Sequence, residues 1–65
     1  MFVKINNTIQ NINANTIQEL INELGLTDKE YVILLNGKLF KKTEYSTAKL
    51  IENDSIDIFS FVGGG

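Results

Sequence analysis

Residues 16–25 read TIQELINELG, and no other stretch of the chain repeats its apolar residues with the period of a helix. Thr16 followed by Glu19 fits a capping box, in which the hydroxyl and the carboxylate each accept a hydrogen bond from a free amide of the first helical turn. Gly25 supplies the left-handed residue that commonly ends a helix. One apolar stripe lies at the spacing i, i+3, i+4 and i+7, formed by Ile17, Leu20, Ile21 and Leu24. The stretch predicts one amphipathic helix with a single face to bury.

The segments on both sides of this helix predict β-strands joined by tight turns. Residues 2–12 alternate apolar and polar side chains around an Asn-Asn pair at positions 6–7, which tolerates the positive φ angles of a type I′ turn. Residues 31–35, YVILL, are too short for a helix and predict a central strand. The Asn-Gly dipeptide at 36–37 predicts a hairpin into a short strand at 38–40.

The rest of the chain predicts an irregular segment and one long strand. Residues 41–49 are polar, with Tyr45, Ala48 and Leu50 as anchors onto the core, and residues 52–54 indicate a turn. Residues 55–62, SIDIFSFV, predict the last strand. The order is ββαββ plus this final strand, which favours an α+β fold with a mixed sheet of four or five strands packed on one helix. Besides the helix stripe, the expected core comprises Val3, Ile5, Ile12, Ile33, Leu35, Leu50, Ile56 and Ile58.

Composition excludes several classes of function. The chain has 65 residues, a net charge of −2, and neither cysteine nor histidine, so an autonomous catalyst is not expected because the usual general base is missing. The lysines are scattered, which argues against a nucleic-acid partner. No apolar run approaches the length that spans a bilayer, and no signal segment is evident, so we expect a cytoplasmic protein without membrane contact. The carboxylates match no known cation loop, so no metal site is expected.

The three terminal glycines permit two interpretations. One is a frayed tail without a role. The other is a reactive arm, because residues without Cβ atoms can thread a channel too narrow for side chains, and three of them reach roughly 10 Å. The carboxylate of Gly65 is sterically open to activation, but an ionised carboxylate is a poor electrophile. Any chemistry at this end must therefore be supplied by a partner. We expect a folded domain over residues 1–62 and a flexible tail over residues 63–65.

Over its whole length the chain resembles the ThiS family of sulfur carriers for thiamine biosynthesis. The resemblance is carried by the ββαββ order, Thr16-Ile17 with Leu20-Ile21, Asn36-Gly37, the L-x-E-x-D-x-I pattern at residues 50–56, and Val62-Gly63-Gly64-Gly65. It implies a ubiquitin-like β-grasp fold. The chain departs from the usual family pattern at Asn7 and Asn53, where glycine is common, and at Lys41-Lys42, where Pro-Arg is common; both asparagines still accept positive φ.

The resemblance also implies a reaction cycle centred on Gly65. An activating enzyme of the ThiF type, using ATP and Mg, adenylates this residue, and a cysteine desulfurase relay converts it to a thiocarboxylate. Thiazole synthase of the ThiG type then takes the sulfur. Gly64 completes the functional diglycine, and Gly63 adds reach. The carrier itself binds no cofactor and is expected to be a monomer when free.

Alternation along the last strand predicts a docking surface beside the tail. If Ile56 and Ile58 point inward, the residues between and after them point outward, and Leu34 does the same on its strand. Exposed apolar patches mark sites of partner contact, although cover by residues 41–49 is the alternative. The predicted docking surface comprises Leu34, Phe59, Phe61, Val62 and Gly63.

Three other functions remain open at this point. The small subunit of molybdopterin synthase shares the fold and the diglycine end but is typically longer, and the ubiquitin-like carrier for tRNA thiolation is longer still. A β-grasp interaction module that binds through its sheet, with inert glycines, belongs to a different class. Removing Gly64 and Gly65 separates a carrier, which loses its function, from such a module.

Overall fold

The computed structural model describes residues 1–26 and 30–60. In these residues the elements are β1 (Phe2–Ile5), β2 (Thr8–Asn11), α1 (Ile17–Leu24), β3 (Tyr31–Leu35), β4 (Lys38–Phe40) and β5 (Ser55–Ser60), with a turn of 3-10 helix at Lys42–Glu44. The predicted order of elements is confirmed. None of the helices formed by the described residues has the length and apolar character needed to cross a membrane.

The strands form one mixed sheet of five strands in the order β2-β1-β5-β3-β4. β1 and β5 run parallel, and the other neighbouring pairs run antiparallel. With α1 packed on one face, this is the predicted β-grasp architecture. β3 lies inside the sheet between β5 and β4, so the prediction of a central strand is confirmed, and β5 takes the middle position. Alternation along a strand shows which face is buried, whereas strand order depends on pairing between distant segments.

Two turns have the type I′ geometry that their sequences predict. In the first hairpin φ is 48° at Asn6 and 70° at Asn7, and in the second it is 51° at Asn36 and 84° at Gly37. Asn53, in the turn before β5, also has a positive φ of 72°. The asparagines at these turns therefore perform the conformational role that glycine has in other sequences.

The ends of α1 agree with prediction except for one hydrogen bond. Thr16 Oγ1 accepts from the Glu19 N–H at 3.1 Å, and Gly25 follows the helix with a φ of 73°. The Glu19 carboxylate, however, accepts from the N–H of Asn15 at 2.8 Å, so the prediction that it bonds an amide of the first helical turn is wrong. Asn15 is held beside the helix because its carbonyl accepts from the Leu50 N–H at 2.8 Å.

The core fills the space between α1 and the sheet. Its buried residues are Val3, Ile5, Ile12, Ala14, Ile17, Leu20, Ile21, Tyr31, Ile33, Tyr45, Ala48, Leu50 and Ile56. The three anchors predicted in and after the irregular segment are among them. Leu24, Leu35 and Ile58 are half-buried and pack against this core. Ala14 and Tyr31 are buried without having been predicted, because a small residue in a loop and a tyrosine at a strand end give weak periodic signals.

Candidate functional site

β5 presents different chemistry on its two faces. Ile56 is fully buried and Ile58 is half-buried against the core, so both point toward α1 as predicted. Phe59 lies on the opposite face with 54% of its surface exposed. Asp57 shares that outer face, because side chains alternate along a strand. The last described strand therefore carries an exposed aromatic ring close to its end.

The pairing of β3 with its neighbours extends this apolar surface. Val32 lies directly opposite Phe59, and Leu34 lies between Asp57 on one side and Leu39 on the other. Leu34 is thus a diagonal neighbour of Phe59, at a separation that large side chains bridge. We call Val32, Leu34, Leu39 and Phe59 the outer patch.

The sequence analysis did not predict two members of the outer patch, although the sequence contains a signal for each. Val32 follows from the same alternation that turned Leu34 outward. Leu39 follows from the two-residue turn, because a hairpin closed at Asn36 and Gly37 pairs Leu35 with Lys38 and the next residues with each other. With 59% of its surface exposed, Leu39 is the most exposed apolar residue of the patch.

The remaining predicted site residues lie outside the described part of the chain. These are Phe61, Val62, Gly63, Gly64 and Gly65. β5 is described up to Ser60, five residues before the end of the sequence. Phe59 is the neighbour of Ser60, so the outer patch borders the point from which these residues continue.

A polar network holds the start of β5. Asp54 has 6% of its surface exposed and accepts from Asn36 Nδ2 at 2.9 Å and from the Ile51 N–H at 2.8 Å. Asn36 Oδ1 in turn accepts from the Ser55 N–H at 2.9 Å. The carboxylate of Asp54 therefore has a structural role, tying the β3–β4 turn to β5. Among the described residues, no group of His, Cys, Asp and Glu could hold a metal ion.

The charged and phenolic groups near the helix offer little catalytic chemistry. Lys41 and Lys42 are exposed beyond the edge strand β4, where lysine discourages pairing between sheets. The Lys38 ammonium lies 5.3 Å from the centre of the Phe40 ring. Burial raises the pKa of the Tyr45 phenol, a shift away from the phenolate that a nucleophile or general base would need. In the described part of the chain, the candidate site is therefore the outer patch.

Comparisons with known proteins agree with this arrangement. The model of the ThiS family matches residues 3–65. The sulfur carrier protein ThiS of Bacillus subtilis is 35% identical over 52 residues, which cover 80% of this chain and 79% of that protein. A thiazole synthase of Paramagnetospirillum magneticum is 29% identical over 66 residues, covering all of this chain but only 20% of its own length.

Among solved structures, the crystal structure of the thiamine biosynthesis protein ThiS from Geobacter metallireducens superposes with a TM-score of 0.83. The alignment covers 100% of both chains at 20% identity, so it supports the fold. The family model and the B. subtilis relative also support membership of the family. The chain belongs to the ThiS family of small sulfur-carrier proteins and is a carrier, not itself a catalyst.

Proposed function

We propose that this protein carries sulfur for the thiazole ring of thiamine as a thiocarboxylate on Gly65. The observation that carries the proposal is the match to the ThiS family model, which runs through residue 65 and so includes the terminal glycine. In this cycle the Gly65 carboxylate attacks the α-phosphorus of ATP, and pyrophosphate leaves. A persulfide sulfur then displaces AMP from the acyl carbon and forms an acyl disulfide. A thiol reductant attacks the outer sulfur of this acyl disulfide, is itself oxidised to a disulfide, and releases the thiocarboxylate.

In this proposal, residues 1–62 form a folded domain that partners bind, and residues 63–65 form a tail that carries the reactive carboxylate. Gly64 and Gly65 enter the active sites of the partners, and Gly63 adds reach. The carrier holds no cofactor, because ATP and Mg belong to the activating enzyme. The protein works as a monomer in the cytoplasm between successive partners.

Three partners follow from the chemistry. An activating enzyme of the ThiF type makes the adenylate, a cysteine desulfurase relay provides the persulfide, and thiazole synthase of the ThiG type accepts the sulfur. The alignment with the P. magneticum thiazole synthase supports the third partner, since a stretch similar to this whole chain occurs within a much longer chain of that name. A carrier and its acceptor joined in one chain would meet without diffusion.

The outer patch is the docking surface for the activating enzyme, continued by Phe61, Val62 and Gly63. Phe59 and Leu39 are 54% and 59% exposed and share one face with Val32 and Leu34, and contiguous exposed apolar patches commonly mark sites of partner contact. Burying such side chains at the centre of an interface is a common source of binding energy. Because the patch borders the end of β5, a partner that covers it lies within reach of the tail.

Intact mass spectrometry tests the carrier function. The full chain is incubated with an activating enzyme of the ThiF type, MgATP, a desulfurase with cysteine, and a reductant. We expect a mass gain equal to the exchange of one oxygen for sulfur. A chain that lacks Gly65 is the matched control and should gain nothing. If the full chain also gains nothing while the enzyme modifies another carrier, the protein is a passive interaction module.

Surface variants test the docking role. Phe59→Ala and Leu39→Ala should each raise the KM of the activating enzyme for the carrier by about tenfold, a typical loss for an apolar interface anchor. Ile9→Ala is the control, because Ile9 is 68% exposed on the distant edge strand β2. Equal effects of all three variants would show that general surface hydrophobicity, and not the outer patch, matters.

A further inference from the structure

The ladder between β1 and β5 stops before β5 does. In the parallel pair, Lys4 lies opposite Ser55 and Ile5 opposite Ile56. Two backbone carbonyls of this segment accept hydrogen bonds from β1 and the turn that follows it. The Lys4 N–H donates to the carbonyl of Asp54, and the Asn6 N–H donates to that of Ile56, both at 2.9 Å. The even-numbered residues of β5 therefore direct their backbone groups toward β1.

The side chain of Asn6 ends this ladder. Its Oδ1 accepts from the Ile58 N–H at 2.8 Å, and its Nδ2 donates to the Ile58 carbonyl at 3.2 Å. Asn6 itself has a φ of 48° and turns the backbone away into the first hairpin. Among the described residues, the last hydrogen bonds on this side of β5 are therefore made by the side chain of Asn6 and not by the backbone of a strand.

Ser60 lies one step beyond that end. By alternation its N–H and carbonyl point to the same side as those of Ile58. On the other side β5 is still paired with β3, where Tyr31 lies opposite Ser60. The register gives β1 no residue opposite Ser60. A strand arriving in line with β1, past the Asn6 turn, would therefore find a place in the sheet.

An apolar groove opens at the same place. It has a volume of about 350 Å³ and runs between the end of α1 and the inner face of the sheet. The side chains of an added strand would alternate, so one of them would point into this groove. Its lining in the described part of the chain consists of Ile5, Asn6, Leu24, Leu26, Tyr31 and Ile58, none of which is charged.

We propose that an extended segment of the activating enzyme adds to the sheet at Ser60, in line with β1, and places an aliphatic side chain in this groove. The inference rests on the proposed function, since it names how that partner holds the carrier. Five residues follow Ser60 and span at most roughly 17 Å, so fixing the backbone at Ser60 fixes where the Gly65 carboxylate can reach. An uncharged groove selects an apolar side chain, because burying a charge there would be costly.

Ser60→Pro tests the added strand. Proline has no N–H, and its ring would occupy the position of the added strand, whereas no hydrogen bond to β3 is lost because Ser60 points away from β3. We expect the Kd for the activating enzyme to rise at least about tenfold. Ser60→Ala keeps the N–H and is the matched control, expected within about twofold of the native chain. Amide NMR spectra check that both variants retain the native fold.

Leu26→Asn tests the groove independently. Leu26 is half-buried and lines the groove, so a polar side chain there should weaken binding by about tenfold. Ile9→Asn makes a comparable change from an aliphatic to a polar side chain and should leave the Kd unchanged. Ile9 lies opposite Lys4 on the outer face of the sheet, whereas the groove lies on the inner face. If the Leu26 and Ile9 variants bind the activating enzyme with equal affinity, the groove takes no part in binding.

Hydrogen exchange in the native complex keeps the inference testable if Ser60→Pro does not fold. The Ser60 amide should exchange at least about a hundredfold more slowly when the activating enzyme is bound, because it becomes a strand donor. Unchanged exchange in a complex that still yields the thiocarboxylate would overturn the added strand and leave the carrier function intact. Absence of adenylation with the native chain would instead count against the proposed function.

Discussion

The two ends of β5 differ in how the chain secures them. At the start, Asp54 is buried, and the Ser55 N–H donates a hydrogen bond to Asn36 Oδ1. Just before the strand, the Asn53 N–H donates to the carbonyl of Phe2 at 2.8 Å. Neighbouring segments thus hold this end from both sides. At the other end, among residues 1–26 and 30–60, Ser60 pairs with β3 and has no residue of β1 opposite it, and the hydrogen bonds on the β1 side extend as far as Ile58.

This difference would suit the proposed carrier, whose terminal Gly65 follows Ser60 by five residues in the sequence. A firmly bonded start gives the sheet a fixed frame, while the other end keeps backbone groups and an apolar groove available to a partner. Regions that bind partners are commonly drawn from the less stable parts of a fold. Under the proposed function, the same strand would serve stability at one end and recognition at the other.

The largest effect should come from truncating the buried isoleucine near the start of β5. Ile56→Ala removes a fully buried side chain and should lower the free energy of unfolding by about 2–5 kcal/mol, a large share of the stability of so small a domain. Ile58→Ala, at the half-buried end, should cost about 1–2 kcal/mol. Urea denaturation measures both, with Ile56→Val as a milder substitute if the alanine variant is unfolded. Equal losses would contradict the contrast between the two ends.

A smaller effect should follow from removing the buried carboxylate. Asp54→Ala leaves the Ile51 N–H and the Asn36 amide without their acceptor, which should cost about 1–3 kcal/mol in the free energy of unfolding. Asp57→Ala is the control on the outer face of the same strand and should change stability by less than about 0.5 kcal/mol. A neutral Asp54→Ala variant would show that the polar network does not hold the start of β5.

The smallest effect should come from the turn that closes the ladder. Asn6→Gly keeps the positive φ but removes both bonds to Ile58, so it should cost about 1 kcal/mol and speed amide exchange at Ile58. Asn7→Gly also keeps a positive φ and is the matched control, with an expected change of less than about 0.5 kcal/mol. If both variants behave alike, Asn6 acts through its backbone conformation and not through its side chain.

Much of the site was predictable because it depends on local periodicity. Alternation placed Ile56 inward and Phe59 outward without any knowledge of neighbouring strands. The composition of the outer patch was only partly predictable, since it needs the register that sets Val32 against Phe59 and Leu39 against Leu34. The link that Asp54 makes between β5 and the β3–β4 turn was not predictable, because its partner Asn36 is 18 residues away in the chain, although its bond to the Ile51 N–H is local.

The sequence by itself determined the order of the elements, both type I′ turns, the ends of α1 and the apolar stripe that it buries. These features arise from φ preferences, capping and periodicity, which act over a few residues. Only the tertiary structure decided that β5 lies at the centre of the sheet, that Asn6 closes its ladder, and that a groove opens beside Ser60. These features depend on pairing between residues up to 52 positions apart, and no local pattern encodes which distant strand will be the neighbour.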